Sequence, residues 1–211
     1  DMATHYQINH SEVPIRLFKS DFLEFFTHIS PMAVVVIWLP VAVYFMMRAA
    51  QTAISSGGYI PIAFLFGIFM WTFTEYTMHR FVFHFKPRTP AQERIIFLFH
   101  GVHHAQPQLK TRLVMPPVVS VPLAFVMYGL LSLVLGLFGA PHWIAAAFSG
   151  TIIGYLVYDL THYATHHLPM RWGYLKYLKQ YHMKHHYKTE DKRFGVSSPL
   201  WDYVFGTIPT E

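Results

Sequence analysis

Two stretches almost free of charge constrain this chain before anything else. Residues 25–74 contain one Asp, Glu, Lys or Arg residue, Arg48, and residues 113–158 contain none. Each stretch is about twice the ~20 residues with which a helix crosses a bilayer once. Each also has a midpoint break, at Ser55-Ser56-Gly57-Gly58 in the first and Gly139-Ala140-Pro141 in the second. The expected fold is therefore all-α and integral to a membrane, with four transmembrane helices near 29–50, 59–79, 117–137 and 142–163, paired as two hairpins. Pro40, Pro116, Pro117 and Pro122 are expected to kink or start helices, which spans tolerate when neighbours satisfy the freed backbone groups. The chain 1–211 reads as one membrane domain, with 80–115 and 164–211 forming a helical cap.

Composition agrees with that class. Charged residues are 13% of the chain and hydrophobic ones 53%, against a charged share of roughly 25% in soluble domains. Disorder, a disulfide-built module and a nucleic-acid binder are excluded. The net charge of +5 is explained by topology. Four spans return both ends and the central loop to one face, and 15 of the 16 Lys and Arg residues fall there, all but Arg48. By the positive-inside rule that face is cytosolic. Cysteine is absent, so any metal must be held by nitrogen or oxygen. The lead-in before residue 25 shows no signal peptide and is assigned no role. In the tail, Trp172, Tyr174, Leu175, Tyr177, Leu178 and Tyr181 form an amphipathic pattern suited to a helix lying along the interface.

The spacing of the 15 histidines carries most of the functional information. His5, His10, His28, His142 and His167 look incidental. The other ten form four tight groups: His79 with His84; His100, His103 and His104; His162 with His166; and His182, His185 and His186. Two groups have the form HxxHH. On a helix, residues four apart share a face, so His100 with His104, or His182 with His186, can grip one ion while the middle histidine reaches a second. His79 and His84 are five apart, roughly 140° out of register on an ideal helix. The second span is therefore expected to end near His79, with an irregular turn bringing His84 round. Ten neutral imidazoles on one membrane face suit two metal ions of five or six coordination with positions left open. Each hairpin also ends in an acid and then a histidine, Glu75 before His79 and Asp159 before His162. A carboxylate there is placed to accept the other ring N–H and fix the tautomer.

The segments His79-Arg80-Phe81-Val82-Phe83-His84, His100-Gly101-Val102-His103-His104, Arg112-Leu113-Val114-Met115-Pro116-Pro117, Tyr158-Asp159-Leu160-Thr161-His162-Tyr163, Tyr181-His182-Met183-Lys184-His185-His186 and Trp201-Asp202-Tyr203-Val204-Phe205-Gly206-Thr207 resemble those of the fatty acid 2-hydroxylases. These belong to the integral-membrane fatty acid hydroxylase and sterol desaturase superfamily. The resemblance covers nearly the whole chain and implies an oxygen-dependent di-iron monooxygenase that hydroxylates C2 of a fatty acyl chain, usually the N-acyl chain of a ceramide or other sphingolipid. All ten clustered histidines fall on the family's ligand positions. Animal and fungal members carry an N-terminal cytochrome b5 domain. None is visible here, so the resemblance implies electrons from a separate donor such as cytochrome b5 with its reductase. The basic face, with Lys176, Lys179, Lys184 and Lys188, offers an acidic carrier a docking surface. The alkyl tail is expected against the walls of the second and fourth spans.

Two other readings are open at this stage. Sterol or carotenoid hydroxylases and acyl desaturases share the metal logic, whereas the RLVMPP and WDYVFGT segments favour the 2-hydroxylase. A zinc-binding membrane transporter would want ionisable groups within its spans, and here they stand at helix ends. An all-nitrogen site binds zinc more tightly than ferrous iron, so a purified sample can carry zinc where two iron ions serve function. The expected membrane is the endoplasmic reticulum in a eukaryote and the inner membrane in a bacterium.

Overall fold

The computed structural model describes residues 7–11, 13–54 and 57–209; Asp1, His5, Ser55 and Ser56 lie outside the described residues. Among the described residues every regular element is helical. The helices are α1 (Asp21–Phe25), α2 (Pro31–Gln51), α3 (Ile60–Thr77), α4 (Pro90–Ile96), α5 (Val102–Ala105), α6 (Pro117–Leu137), α7 (Ile144–His167), α8 (Gly173–Tyr187) and α9 (Leu200–Val204). Four helical segments are long and apolar enough to cross a membrane: Pro31–Gln51, Ile60–Phe83, Lys110–Leu137 and Pro141–His167. The chain is thus a multi-pass membrane protein.

Local chemistry explains the boundaries. Pro31 opens α2 behind Ser30, whose hydroxyl accepts the Ala33 N–H at 3.2 Å. A proline suits the first helical position because its missing N–H would have no partner there. Pro117 opens α6 the same way, after an extended Pro116. Pro40 and Pro122 sit inside continuous helices. The turn between α6 and α7 uses Gly139 at φ +68°, a left-handed conformation that costs glycine little.

The hairpins expected from the sequence are present as connections, but the tightest packing runs between them. In the apolar 18-residue stretch of the fourth span 67% of residues are buried, against 22–33% in those of the other three, because α7 packs against both α2 and α3. A Cβ on Gly67 of α3 would lie 1.8 Å from the Ala147 carbonyl oxygen, and one on Gly150 of α7 would lie 2.0 Å from that of Phe64. Two backbones thus touch where only glycine fits, the packing that small residues allow between membrane helices. Hydroxyls add to it: Ser149 Oγ donates to Ala42 O at 2.8 Å and Thr151 Oγ1 to Gly67 O at 3.3 Å. Below this contact Trp38, Trp71, Phe148 and Tyr155 fill the core.

The C-terminal ends of α3 and α7 lead into four of the ten clustered histidines, His79, His84, His162 and His166. Past Thr77 the helix widens into a π-helix, Met78–Phe83, and the His84 N–H donates to His79 O at 3.0 Å. This i to i+5 bond is the turn that the five-residue spacing requires, because a π register returns residues five apart to one side. A second π segment, Phe97–Gly101, joins α4 to α5 and carries His100. In the tail, Leu178 and Tyr181 of α8 are buried while Trp172, Tyr174 and Leu175 are exposed.

Replacing Gly67 or Gly150 by alanine forces α3 and α7 apart and is expected to cost at least ~1–3 kcal/mol. Gly129→Ala, which meets open space, should stay within about 0.5 kcal/mol. Thermal unfolding of the three variants in detergent checks the difference.

Candidate metal centre

The ten clustered histidines converge into two groups of five. His79, His84, His100, His104 and His185 form the first cluster, and His103, His162, His166, His182 and His186 the second; in each, the ligand atoms lie within 4.8 Å of one another. Nine of the ten are buried. Each HxxHH segment divides its histidines as helical geometry demands. His100 and His104 enter the first cluster and His103 the second, while His182 and His186 enter the second and His185 the first. The His104 and His186 rings, stacked with centroids 4.2 Å apart and planes inclined by 28°, join the two groups.

Every ring turns Nε2 inward. In the first cluster the Nε2 pairs His79/His100, His100/His104 and His84/His185 lie 3.1, 3.0 and 3.1 Å apart. In the second, His162/His103, His103/His186, His186/His182 and His182/His166 are all at 3.0 Å. With a metal–imidazole bond of about 2.1 Å, ligands at right angles lie ~3.0 Å apart and tetrahedral ones ~3.4 Å. The observed spacing therefore fits two ions of five or six coordination and does not fit a tetrahedral structural zinc site.

Backbone carbonyls orient several rings from behind. His79 Nδ1–H donates to Phe194 O, and His185 Nδ1–H to Lys192 O at 2.7 Å. His162 is held by the Leu113 backbone. This corrects the expected role of the two acids, since neither Glu75 nor Asp159 touches the ring assigned to it. Glu75 accepts the N–H groups of Val196 (3.1 Å) and Ser197 (2.9 Å) and the Ser197 hydroxyl (2.6 Å). Asp159 accepts the Met115 N–H at 3.1 Å. Each acid grips the backbone two residues beyond the carbonyl that orients the histidine one turn later. A buried carboxylate needs N–H donors, and the loops beside α3 and α7 supply them.

The incidental histidines stay apart. His28 bonds Thr111 and Arg112, His142 packs on Tyr59 at the far end, His167 lies beside Tyr163, and His10 is exposed. The sequence reading missed the lead-in, which straps the cap. Gln106 donates to Ser11 O and Val13 O, and Arg112 bonds Ile15 O, Glu24 and Thr27. A Gln two residues after the first HxxHH and the acid Glu24 at the edge of a nearly uncharged stretch were the available signals. Asp202, which is fully buried, was also missed.

Two recesses reach the clusters from different sides. One of about 300 Å³ is mainly apolar, lined by Phe18, Phe26, Phe83, Leu98, Phe99, Met115, Val118, Val119 and Tyr158, and ends on His100, His103 and His162. Its walls come from the lead-in, the cap and the starts of α6 and the end of α7. The second span contributes only the Phe83 end to this recess, and the fourth contributes Tyr158, Asp159 and His162. The other recess, about 380 Å³, is more polar, with Arg80, Lys86, Glu190, Asp191 and Lys192 around His84, His100 and His104.

Burial, reinforced by neighbouring imidazoles, pushes His84, His100, His103, His182, His185 and His186 well below the ordinary histidine range. These rings are held neutral, the form that donates a lone pair to a metal. In the unfolded chain they regain a pKa of about 6.5, so the unfolded state binds more protons below that value. Stability of the metal-free protein is therefore present above about pH 6.5 and falls as the pH drops through it. Melting temperatures from pH 8 to 5 should decline, with most of the loss below 6.5.

A family profile described as fatty acid hydroxylase matches residues 64–207. Dihydroceramide fatty acyl 2-hydroxylase FAH1 of Arabidopsis thaliana is 42% identical over 206 residues, covering 98% of this chain and 84% of the relative. Ceramide very long chain fatty acid hydroxylase scs7 of Schizosaccharomyces pombe is 44% identical over 89% of this chain and 53% of its own length. Fatty acid 2-hydroxylase of Homo sapiens is 34% identical over 94% of this chain and 58% of its own. This chain thus spans a little over half of the last two relatives. The solved structure of full-length scs7p, in which only the hydroxylase domain is visible, superposes with a TM-score of 0.81 at 39% identity, covering 90% of this chain and 70% of that one. With the histidine clusters, the helical frame and these matches in agreement, the chain belongs to the fatty acid hydroxylase family.

Proposed function

We propose that this protein is a fatty acyl 2-hydroxylase that uses two iron ions, one in each cluster, to hydroxylate C2 of an acyl chain, the N-acyl chain of a ceramide or related sphingolipid. The observation that carries this reading is an apolar recess ending on histidines of both clusters. An alkyl chain in it has its reacting carbon beside the pair. Iron bound there would supply the oxygen activation that an unreactive C–H bond needs. The all-nitrogen, five-donor sets with right-angle spacing support iron, and zinc can replace it in a purified sample.

The protein's own contribution is positioning. Phe83, Leu98, Phe99, Met115, Val118 and Val119 exclude water from the alkyl chain. Its head group is held at the interface, which leaves C2 a short way in and selects that carbon by geometry. The polar recess on the opposite side gives water and protons a route that does not cross the lipid. Electrons come from a separate donor such as cytochrome b5 with its reductase, docking on the basic face, and molecular oxygen is the co-substrate. The clustered basic residues support a cytosolic centre, in the endoplasmic reticulum membrane of a eukaryote or the inner membrane of a bacterium. We assign the ten histidines as the metal ligands and the chain 1–211 as one hydroxylase domain.

Lipid mass spectrometry of cells expressing the wild type or His103→Ala tests this. Lipids with 2-hydroxylated acyl chains should accumulate with the wild type and fall at least 100-fold, to background, with the variant. Equal amounts in both would refute it, and hydroxylated sterols or new double bonds would instead favour a related oxidase.

A further inference from the structure

The two clusters are built from the same ligands but not anchored alike. In the second, the Nδ1 atoms of His103, His166 and His182 are buried with no hydrogen-bond partner among the described residues, while His162 has the Leu113 backbone behind it. In the first, His79 and His185 both donate to one loop, residues 192–198, through Phe194 O and Lys192 O. His104 Nδ1, in this first cluster, is buried with no hydrogen-bond partner among the described residues, the Glu190 carboxylate standing 3.8 Å away.

That loop is clamped from two sides. Asp202 accepts the N–H groups of Phe194 (2.9 Å) and Gly195 (2.7 Å) and the Thr207 hydroxyl (2.6 Å). Glu75 accepts from Val196 and Ser197 on the other side. The Arg193 N–H closes the cradle onto Thr207 O at 3.1 Å. Gly195 has no room for a side chain, since a Cβ would lie 2.1 Å from Ser198 O. Four consecutive N–H groups, from Phe194 to Ser197, are therefore spent on two buried carboxylates. The carbonyls of Lys192 and Phe194 are left aimed at the rings.

We propose that Asp202, Thr207 and Glu75 are positioning residues for the first cluster alone, and that the two metal sites are consequently unequal: the first holds its ion tightly and the second releases its ion first. This rests on reading the clusters as metal sites. Partners behind a ligating imidazole are worth about 10–100-fold in metal affinity. The first cluster has two rings so anchored and one, His104, without; the second has one anchored ring and three with no hydrogen-bond partner at Nδ1 among the described residues.

The test is cobalt(II) titration of the detergent-purified, chelator-stripped full chain, followed by its visible absorption and by chelator competition. The wild type should bind two ions in separate steps at least tenfold apart. His162→Ala should remove only the weaker step, which assigns it to the second cluster. Thr207→Val, which deletes the hydroxyl that bonds Asp202 and Tyr76, should weaken the tighter step several-fold and leave the weaker one in place. Thr207→Ser should restore it. Two indistinguishable steps in the wild type overturn the proposal without any variant, as does a Thr207→Val effect shared equally by both steps. Failure of the wild type to bind any cobalt would sink the metal reading itself.

Discussion

Lone pairs of five imidazole nitrogens pointed at one centre repel each other, and this chain does so twice. Neutral rings 3 Å apart gain nothing from meeting unless a cation sits between them, so the scaffold must hold them in place from outside. The root of that scaffold is the contact of α3 with α7. Gly67 and Gly150 let two backbones touch, and the ends of the same helices deliver His79, His162 and His166. A lever is only as accurate as its fulcrum, and here the fulcrum is backbone against backbone, with no side-chain rotamers to blur it.

From that contact outward the design alternates between charge and backbone. Glu75 and Asp159 are buried one turn before histidines, where an unpaired carboxylate would be costly. Each is satisfied by N–H groups of a passing loop rather than by an imidazole. The loop carbonyls are then free to accept from the rings. A backbone carbonyl cannot take up a proton near neutral pH and carries no net charge. It therefore fixes a ring without adding a negative charge beside the metal.

The clusters also lie where two recesses of different polarity meet. Apolar side chains of the cap, the lead-in and the starts of α6 form one approach, and charged residues of 80–86 and 190–192 form the other. An oxidation that needs a lipid carbon on one side and protons on the other suits a centre lying at that boundary. The strap formed by Gln106 and Arg112 on the lead-in shows that residues before the first span belong to this architecture.

Much of this was legible beforehand for definite reasons. Missing charge over residues 25–74 and 113–158 dictates spans whatever their packing, because hydrocarbon excludes ions. Spacing within a helix is local geometry, so the split of His100 and His104 from His103, and of His182 and His186 from His185, follows from 3.6 residues per turn. The π turn that reconciles His79 with His84 was readable only as an irregularity. A widened helix is chosen by what it must reach, and that target sits more than a hundred residues away in His185. The partners of Glu75 and Asp159 were misread for the same reason. Sequence proximity suggested the histidine one turn on, whereas loops distant in the chain brought better donors.

The amino-acid order alone determined the helical membrane class, the number of spans and which imidazoles share a helix face, since each depends on interactions within a few residues or with the solvent. Only the tertiary structure decided that α7 is central, that the clusters divide five and five, and which carbonyls stand behind the rings. Those outcomes depend on which backbones come into contact across the bundle, and no local pattern encodes that.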